Sequence, residues 1–283
     1  MTPDDFAFVA RLLKERSGLV LTRDKSYLVE NRLMPVVRTN GLGGMHELLT
    51  QLRAEDAEMR TAVVDAMLSK DTGFFRDWRP FKHLRDVVLP NLRTARRANR
   101  MLRVLCAGVS TGPEAYSIAM QIVEAAESFR GWQVQIVGVD LSASALAQAA
   151  RGVYNQFEVQ RGLPVRALLR HFRKEGEEWH INDPIRGMVQ FKTWNLLDEL
   201  YPLGRFDVVL CRNVLTYFDQ QTKLSTLQKL SRLLMEDGVL YVGINETVTG
   251  VSSNFAAVIA DQGIYGIHKD GHLDIRANVA VAR

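Results

Sequence analysis

The sequence predicts an α/β protein in two parts: a small all-helical domain over residues 1–90, then a doubly wound parallel sheet with a small β insertion over residues 91–283. Three observations carry that prediction. Apolar residues recur at three- and four-residue intervals from Asp4 to about Arg93, and after Arg103 short β-rich runs alternate with helix-like stretches. The 283 residues are 47% hydrophobic and 24% charged, the balance of a chain that buries a core.

The helical part follows from its spacing. Phe6, Val9, Leu12 and Leu13 fit one face of a first helix, and Leu28, Leu33, Val36 and Val37 fit a second. Breaks are expected at Ser17-Gly18, at Asn40-Gly41 with Gly43-Gly44 beyond it, and near Pro90, because these residue types end helices or form turns. The stretch 91–102, NLRTARRANRML, is basic, lacks an apolar stripe and reads as the approach to the second part. Lys and Arg outnumber Asp and Glu by 18 to 13 over residues 1–100 and trail them 18 to 19 thereafter. That asymmetry suits either an acidic partner or a plainly solvated helical surface.

The sheet is read strand by strand. β-rich runs at Arg103–Gly108, Val134–Asp140, Val189–Leu196, Phe206–Asn213 and Gly238–Asn245 are separated by helix-like stretches such as 113–128, 142–151 and 220–235. This βαβ rhythm implies a mostly parallel sheet covered by helices. Ligands of such sheets bind beyond the carboxyl ends of the strands, which directs attention to Gly108–Glu114, Asp140, Asn195, Arg212-Asn213 and Asn245-Glu246. Phe255–His268 reads as a terminal hairpin around Asp261-Gln262-Gly263, and residues 269–283 carry no strong pattern. The insertion 153–188 includes HFRKEGEEWHI, a candidate hairpin with Gly176 near its turn that serves either partner docking or a simple crossover.

Composition excludes several classes. No apolar run approaches the ~20 residues of a membrane-spanning helix, and a start carrying Asp4 and Asp5 lacks the pattern of a signal peptide, so a cytoplasmic protein without membrane insertion is expected. Two cysteines cannot build a disulfide framework, and six scattered histidines leave no metal-ligand spacing, so no metal is expected. Cys106 and Cys211, at the ends of the first and fourth strands, read as small core residues rather than nucleophiles.

The first strand runs into Gly108-Val109-Ser110-Thr111-Gly112-Pro113-Glu114, where small residues let the backbone approach a ligand, or simply make a tight βα turn. The spacing Gly108-x3-Gly112 is neither a GxGxxG nor a GxxxxGK pattern. Asp140 closes the second strand, where a carboxylate accepts from the two hydroxyls of a ribose, or, with Ser142, caps the next helix. A glycine turn and an acidic second strand together point to a nucleoside, and without a pyrophosphate fingerprint S-adenosylmethionine is favoured over NAD.

These residues also carry a resemblance. Ser110-Thr111-Gly112-Pro113-Glu114-Ala115-Tyr116-Ser117, Asp140, Asn195-Leu196-Leu197 and Phe206-Asp207-Val208-Val209-Leu210-Cys211-Arg212-Asn213-Val214-Leu215-Thr216-Tyr217-Phe218-Asp219 resemble, in order and spacing, the CheR family of chemotaxis-receptor glutamate O-methyltransferases. The likeness extends from the helical part through Gly73-Phe74-Phe75-Arg76-Asp77 to the terminal hairpin. It implies a Rossmann-like class I S-adenosylmethionine-dependent methyltransferase fold with cofactor contacts at Thr72, Arg76, Glu114, Asp140, Asn195, Leu196, Arg212 and Asn213. Arg76 would fork onto the cofactor's carboxylate, Glu114 accept from its ammonium, Asp140 hold the ribose and Asn195 pair with the adenine edge.

The activity implied is methyl transfer to glutamate side chains of methyl-accepting chemoreceptor cytoplasmic helices, for chemotactic adaptation, with S-adenosylhomocysteine as the other product. Tyr217 is the side chain expected to orient the acceptor, with Arg76 helping by charge. Phe74-Phe75 is expected to pack at a domain interface. Arg32 and Arg38 lie on the segment corresponding to the family's receptor-contacting helix, but Pro35 and Val36 occupy its middle, so a weaker or different contact follows. Residues 172–180 are too short for the extension that binds a receptor pentapeptide, and no such tether is expected. Nucleic acid is not expected as a substrate, since Asn213-Val214-Leu215-Thr216 is not the Asn/Asp-Pro-Pro-aromatic signature of amino-group methylation.

The chain departs from the family pattern at Lys70, where a cofactor-contacting Asn is usual, and at Gly108-Val109 and Pro113. A lysine beside a sulfonium is unhelpful unless it points away. The departure keeps open a second reading, a non-catalytic regulatory or cofactor-sensing relative in a chemosensory pathway.

Overall fold

The computed structural model describes residues 1–259 and 262–268; Asp261 of the expected turn and the stretch 269–283 lie outside the described residues. The helical part comprises α1 (Pro3–Ser17), α2 (Ser26–Thr39), α3 (Met45–Arg53) and α4 (Ala57–Met67). α1 opens on a reciprocal cap between Thr2 and Asp5 and stops at Gly18, whose φ of 75° only glycine takes without strain. Val9, Leu13, Val29, Leu33, Leu48, Leu52 and Val63 are fully buried in one cluster that closes with Met67.

The expected break near Pro90 does not occur. α5 (Arg79–His83), a π turn at Leu84–Val88 and α6 (Leu89–Ala95) run on as one helical rod. The wide turn relieves the missing N–H and the ring clash that proline brings to a regular helix. Phe81, Leu84, Val88, Leu89 and Leu92 pack beneath the sheet together with Phe74. By packing, the helical core is therefore complete at Met67, ahead of the division at residue 90 suggested by spacing. Periodicity alone cannot tell a stripe that faces helices from one that faces a sheet.

The sheet strands are β1 (Met101–Ala107), β2 (Gln133–Asp140), β6 (Val189–Thr193), β7 (Phe206–Cys211), β8 (Leu234–Val242), β9 (Phe255–Ile259) and β10 (Ile264–Ile267). Their order is β6-β2-β1-β7-β8-β10-β9, parallel through β8 and antiparallel at the terminal hairpin. α7 (Pro113–Glu124), α8 (Ala143–Arg151) and α12 (Gln220–Leu233) are the principal covering helices. The basic approach is clamped to the sheet: Arg96 donates to Asp207 Oδ1 at 2.8 Å and pairs with Asp237, while Asp207 Oδ2 accepts from Arg103 N at 2.8 Å.

The insertion forms a separate sheet, β3-β5-β4, from β3 (Val153–Asn155), β4 (Phe172–Glu175) and β5 (Glu178–Ile181), with Gly176 at the expected turn. Two short helices lie between its first two strands, α9 (Gln156–Gln160) and α10 (Val165–His171), and α11 (Asp183–Arg186) leads out of it. Phe74 meets Tyr154 and Phe172 edge-on at 5.0 and 5.6 Å between centroids, and Phe75 meets Phe81 at 5.4 Å, so the aromatic pair packs. No helix of the described residues is long and apolar enough to cross a membrane.

Candidate functional site

Strand order reverses between β1 and β7, and at their carboxyl ends lies a cavity of about 390 Å³, a volume ordinary for a small-molecule site. Its walls come from both parts of the protein. The helical part contributes Leu19, Leu28, Arg32 and Met67; the strand ends contribute Gly108, Ser110, Asp140, Asn195, Arg212 and Asn213.

The glycine turn is built for close approach. Gly108 has φ +75°, and a Cβ there would lie 2.3 Å from Val214 Cγ2, so no larger residue fits the site as it stands. Ser110 N donates to Asp140 Oδ2 and Ser142 N to Asp140 Oδ1, each at 2.8 Å. The helix-capping role falls to Ser142, whose Oγ accepts from Ala145 N at 3.1 Å. Asp140 stays in the cavity wall with a lone pair of each oxygen still unused by those amides. Burial raises its pKa above the usual aspartate value, although the Ser142 and Ser110 amides pull the other way.

Arg212, buried, donates from Nη1 to Glu114 Oε1 at 2.6 Å and from Nη2 to Asp77 Oδ2 and the Arg76 carbonyl, each at 2.9 Å. It thereby ties the end of β7 to α7 and to the loop carrying Arg76. Glu246, at a strand end to which the sequence directs attention without assigning it a role, holds the next turn. Its Oε2 accepts from Asn213 N and Gly243 N, each at 2.7 Å, and its Oε1 from Thr216 N at 2.9 Å. This cradle holds Asn213 at φ +59° and places Tyr217, 40% exposed, in the cavity wall. The signal was its position in Asn245-Glu246, past the fifth β-rich run.

Asn195 lines the cavity with its amide already engaged. Its Nδ2 donates to the Arg16 carbonyl at 2.8 Å and its Oδ1 accepts from Leu197 N at 3.0 Å, so the amide joins the end of α1 to the loop after β6. The buried Lys229 ammonium, on α12, fixes that loop by donating to the carbonyls of Leu196, Leu197 and Asp198 at 2.6, 2.8 and 3.1 Å. Leu196 supplies an apolar wall. Thr72 and Arg76 both line the cavity.

Lys70 points elsewhere. Its Nζ donates to Ser144 Oγ at 2.6 Å and to Asp65 Oδ2 at 3.4 Å, and it does not line the cavity. Arg32 lines the cavity and donates to the Met67 carbonyl at 2.6 Å, whereas Arg38 is exposed. Cys106 and Cys211 are fully buried, and burial pushes both thiols well up, which removes them as nucleophiles.

An S-adenosyl nucleoside fits this donor set. Ser110 lines the cavity with a buried Oγ that has no partner, while Asp140 and Glu114 place acceptor oxygens in the wall that suit ribose hydroxyls and an ammonium. The chain matches the family model described as CheR methyltransferase, SAM binding domain, over residues 70–264, and that described as CheR methyltransferase, all-alpha domain, over residues 4–68. It is 36% identical to chemotaxis protein methyltransferase 1 of Pseudomonas aeruginosa over 264 residues, covering 92% of this chain and 96% of that one. It is also 36% identical to chemotaxis protein methyltransferase Cher2 of Pseudomonas putida and 34% identical to the chemotaxis protein methyltransferase of Vibrio parahaemolyticus; these matches cover 92% and 93% of this chain and 96% of each relative.

Proposed function

The chain belongs to the CheR methyltransferase family, with S-adenosylmethionine as its cofactor, and we propose that it methylates glutamate side chains on the cytoplasmic helices of methyl-accepting chemoreceptors. One observation supports this most: the cavity joins carboxylates suited to a cationic nucleoside, Asp140 and Glu114, to a cation and a phenol, Arg76 and Tyr217, suited to an anionic acceptor.

When bound, the cofactor supplies an electrophilic methyl group on sulfur. The protein's task is placement. In this reading Asp140 receives the ribose hydroxyls, Glu114 the ammonium, Leu196 packs on the base, Thr72 completes the wall beside the cofactor, and Arg212 and Asn213 hold the loops around them. Arg76 attracts carboxylate, and Tyr217 orients the acceptor. A glutamate with pKa ~4.3 is ionised at neutral pH and needs no general base. Its oxygen would take the methyl carbon as the carbon–sulfur pair returned to sulfur, which would give the methyl ester and S-adenosylhomocysteine. No proton moves. Holding the two reacting atoms in line at roughly 3–3.5 Å and excluding water carries the rate.

The same reading places the protein in the cytoplasm. The tight β4–β5 turn through Gly176 favours action without a pentapeptide tether. Lys70, which allowed a non-catalytic alternative, is engaged with Asp65 and Ser144, and no observation favours that alternative. The test is transfer of methyl-tritiated cofactor to a receptor cytoplasmic fragment, followed by alkali. Release of the label as methanol is expected for a glutamyl ester; an alkali-stable label, or none, overturns the proposal.

A further inference from the structure

The cavity wall includes a carboxylate that the site reading leaves unused. Asp71 lines the cavity, and its oxygens are taken by two guanidiniums: Oδ2 by Arg76 Nη1 at 3.3 Å and Oδ1 by Arg161 Nη2 at 2.8 Å. Asp71 and Arg76 lie on the loop between α4 and α5, whereas Arg161 comes from the insertion, just after α9. Backbone contact fixes this meeting. A Cβ on Gly162, at φ +89°, would lie 2.2 Å from the Phe74 carbonyl oxygen, and one on Gly73 would lie 3.2 Å from that of Arg161. The Arg161 guanidinium also lies over the exposed Phe157 ring, 5.9 Å from its centroid.

We propose that Arg161 binds the acceptor: with Arg76 it forms a two-guanidinium receptor for the glutamate to be methylated, and Asp71 occupies that receptor until the glutamate arrives. The proposal rests on the glutamate O-methyltransferase reading above.

Aspartate and glutamate present the same carboxylate, one methylene apart, so what Asp71 satisfies in the free protein the acceptor satisfies in the complex. Arg76 also lies beside the cofactor's carboxylate in that reading, and one planar fork cannot serve two carboxylates fully; the second guanidinium meets the need. The Asp71–Arg161 pair is about half exposed, 50% and 45% by side chain, so exchange with an incoming carboxylate replaces a weak contact rather than a buried one. After transfer the ester is neutral and accepts more weakly, and Asp71 can retake the arginines as product leaves. Glutamine at the acceptor position lacks the charge and is bound poorly.

Receptor KM and kcat, measured at saturating cofactor alongside the cofactor Kd, test this. Arg161→Gln should raise receptor KM about tenfold, the loss of one charge-assisted contact, with kcat and the cofactor Kd nearly unchanged. Arg161→Lys should recover part of the loss. Asp71→Asn should move KM the other way, lowering it about threefold as the competing carboxylate is neutralised. A merely structural ion pair would move both variants in the same direction, and that outcome, or an unchanged KM in Arg161→Gln, overturns the proposal. A wild type that leaves no alkali-labile label overturns the parent reading and this one with it; a wild type that labels while Arg161→Gln keeps its KM overturns this one alone.

Discussion

Asp65 of α4 accepts a hydrogen bond from the Ser144 hydroxyl of α8 at 2.6 Å, joining the helical part to the helix that follows Asp140. Ser142 Oγ donates to the same carboxylate at 2.6 Å, and Lys70 donates to Ser144. Burial pushes the Asp65 carboxyl up, but the two hydroxyls and the Lys70 charge outweigh it and leave its pKa below the usual value. The departure at Lys70 thus serves the joint between the two parts and stays clear of the cavity.

Lys70→Asn is therefore expected to leave cofactor affinity within about threefold of wild type, because the contact it removes is a partly exposed pair outside the cavity. Asp65→Ala should cost about 1–3 kcal/mol of stability by stripping two hydroxyls of their acceptor. Calorimetric titration and denaturant unfolding of both variants check this.

The Arg212–Glu114 pair is a second joint. Arg212→Met should destabilise by about 3 kcal/mol, since Glu114 is left buried without its cation. Glu114→Gln keeps the shape and the hydrogen bond to Arg212, and is expected to weaken cofactor binding about tenfold through loss of charge facing the ammonium. Urea midpoints and titration calorimetry separate the two effects.

Gly108→Ala meets two penalties at once, a positive φ and a Cβ 2.3 Å from Val214 Cγ2. A cost of about 1–3 kcal/mol is expected, together with loss of cofactor binding as the turn shifts. The double variant Gly108→Ala/Val214→Ala should recover part of the stability, measured by thermal unfolding.

If Asp140 receives the ribose as proposed, it sets the pH dependence of binding. Its folded pKa is raised by burial, so the ionised form that receives ribose hydroxyls is lost at a higher pH than for an ordinary aspartate. Cofactor affinity should fall as pH drops through that value, and Asp140→Asn should bind at least about tenfold more weakly with a flatter profile. The stability sign is opposite: a raised carboxyl pKa makes this group less costly to folding as pH falls.

Asp86 behaves the other way. Arg85 and then Lys82 bring its carboxyl down to about 2, so its contribution is present above the ordinary aspartate value and is lost between there and about 2. The group is well exposed, so Asp86→Asn should cost only about 0.5 kcal/mol at neutral pH, with the difference from wild type vanishing in acid unfolding.

Most of the fold was legible because its signals are local. Alternation and turn residues placed the five parallel strands to within a few residues, although β8 begins at Leu234, directly after α12, ahead of the run read from Gly238. Pro90 misled because the π turn that accommodates it has no local signature. The strand-end rule also brought together Asp140, Glu114, Arg212 and Asn213, which all line one cavity. Glu246 was named at its strand end without a role because its partners are backbone amides, which every residue carries and no motif marks. Asn195 lines the same cavity, but its amide has a partner 179 positions away in Arg16, invisible to any window of sequence.

The sequence by itself determined the two-part architecture, the strand ends that meet at one cavity and the family to which the residues belong. These follow from side-chain period, backbone-permissive glycines and ordered motifs, all properties of neighbours along the chain. Only the tertiary structure decided where charges ended up. Lys70 was turned onto Asp65, Asn195 was committed to Arg16, and Arg161 was brought from the insertion to Asp71 and Arg76. Electrostatic partners are chosen by distance in space, and distance in space is set by packing, which burial drives without regard to separation along the chain.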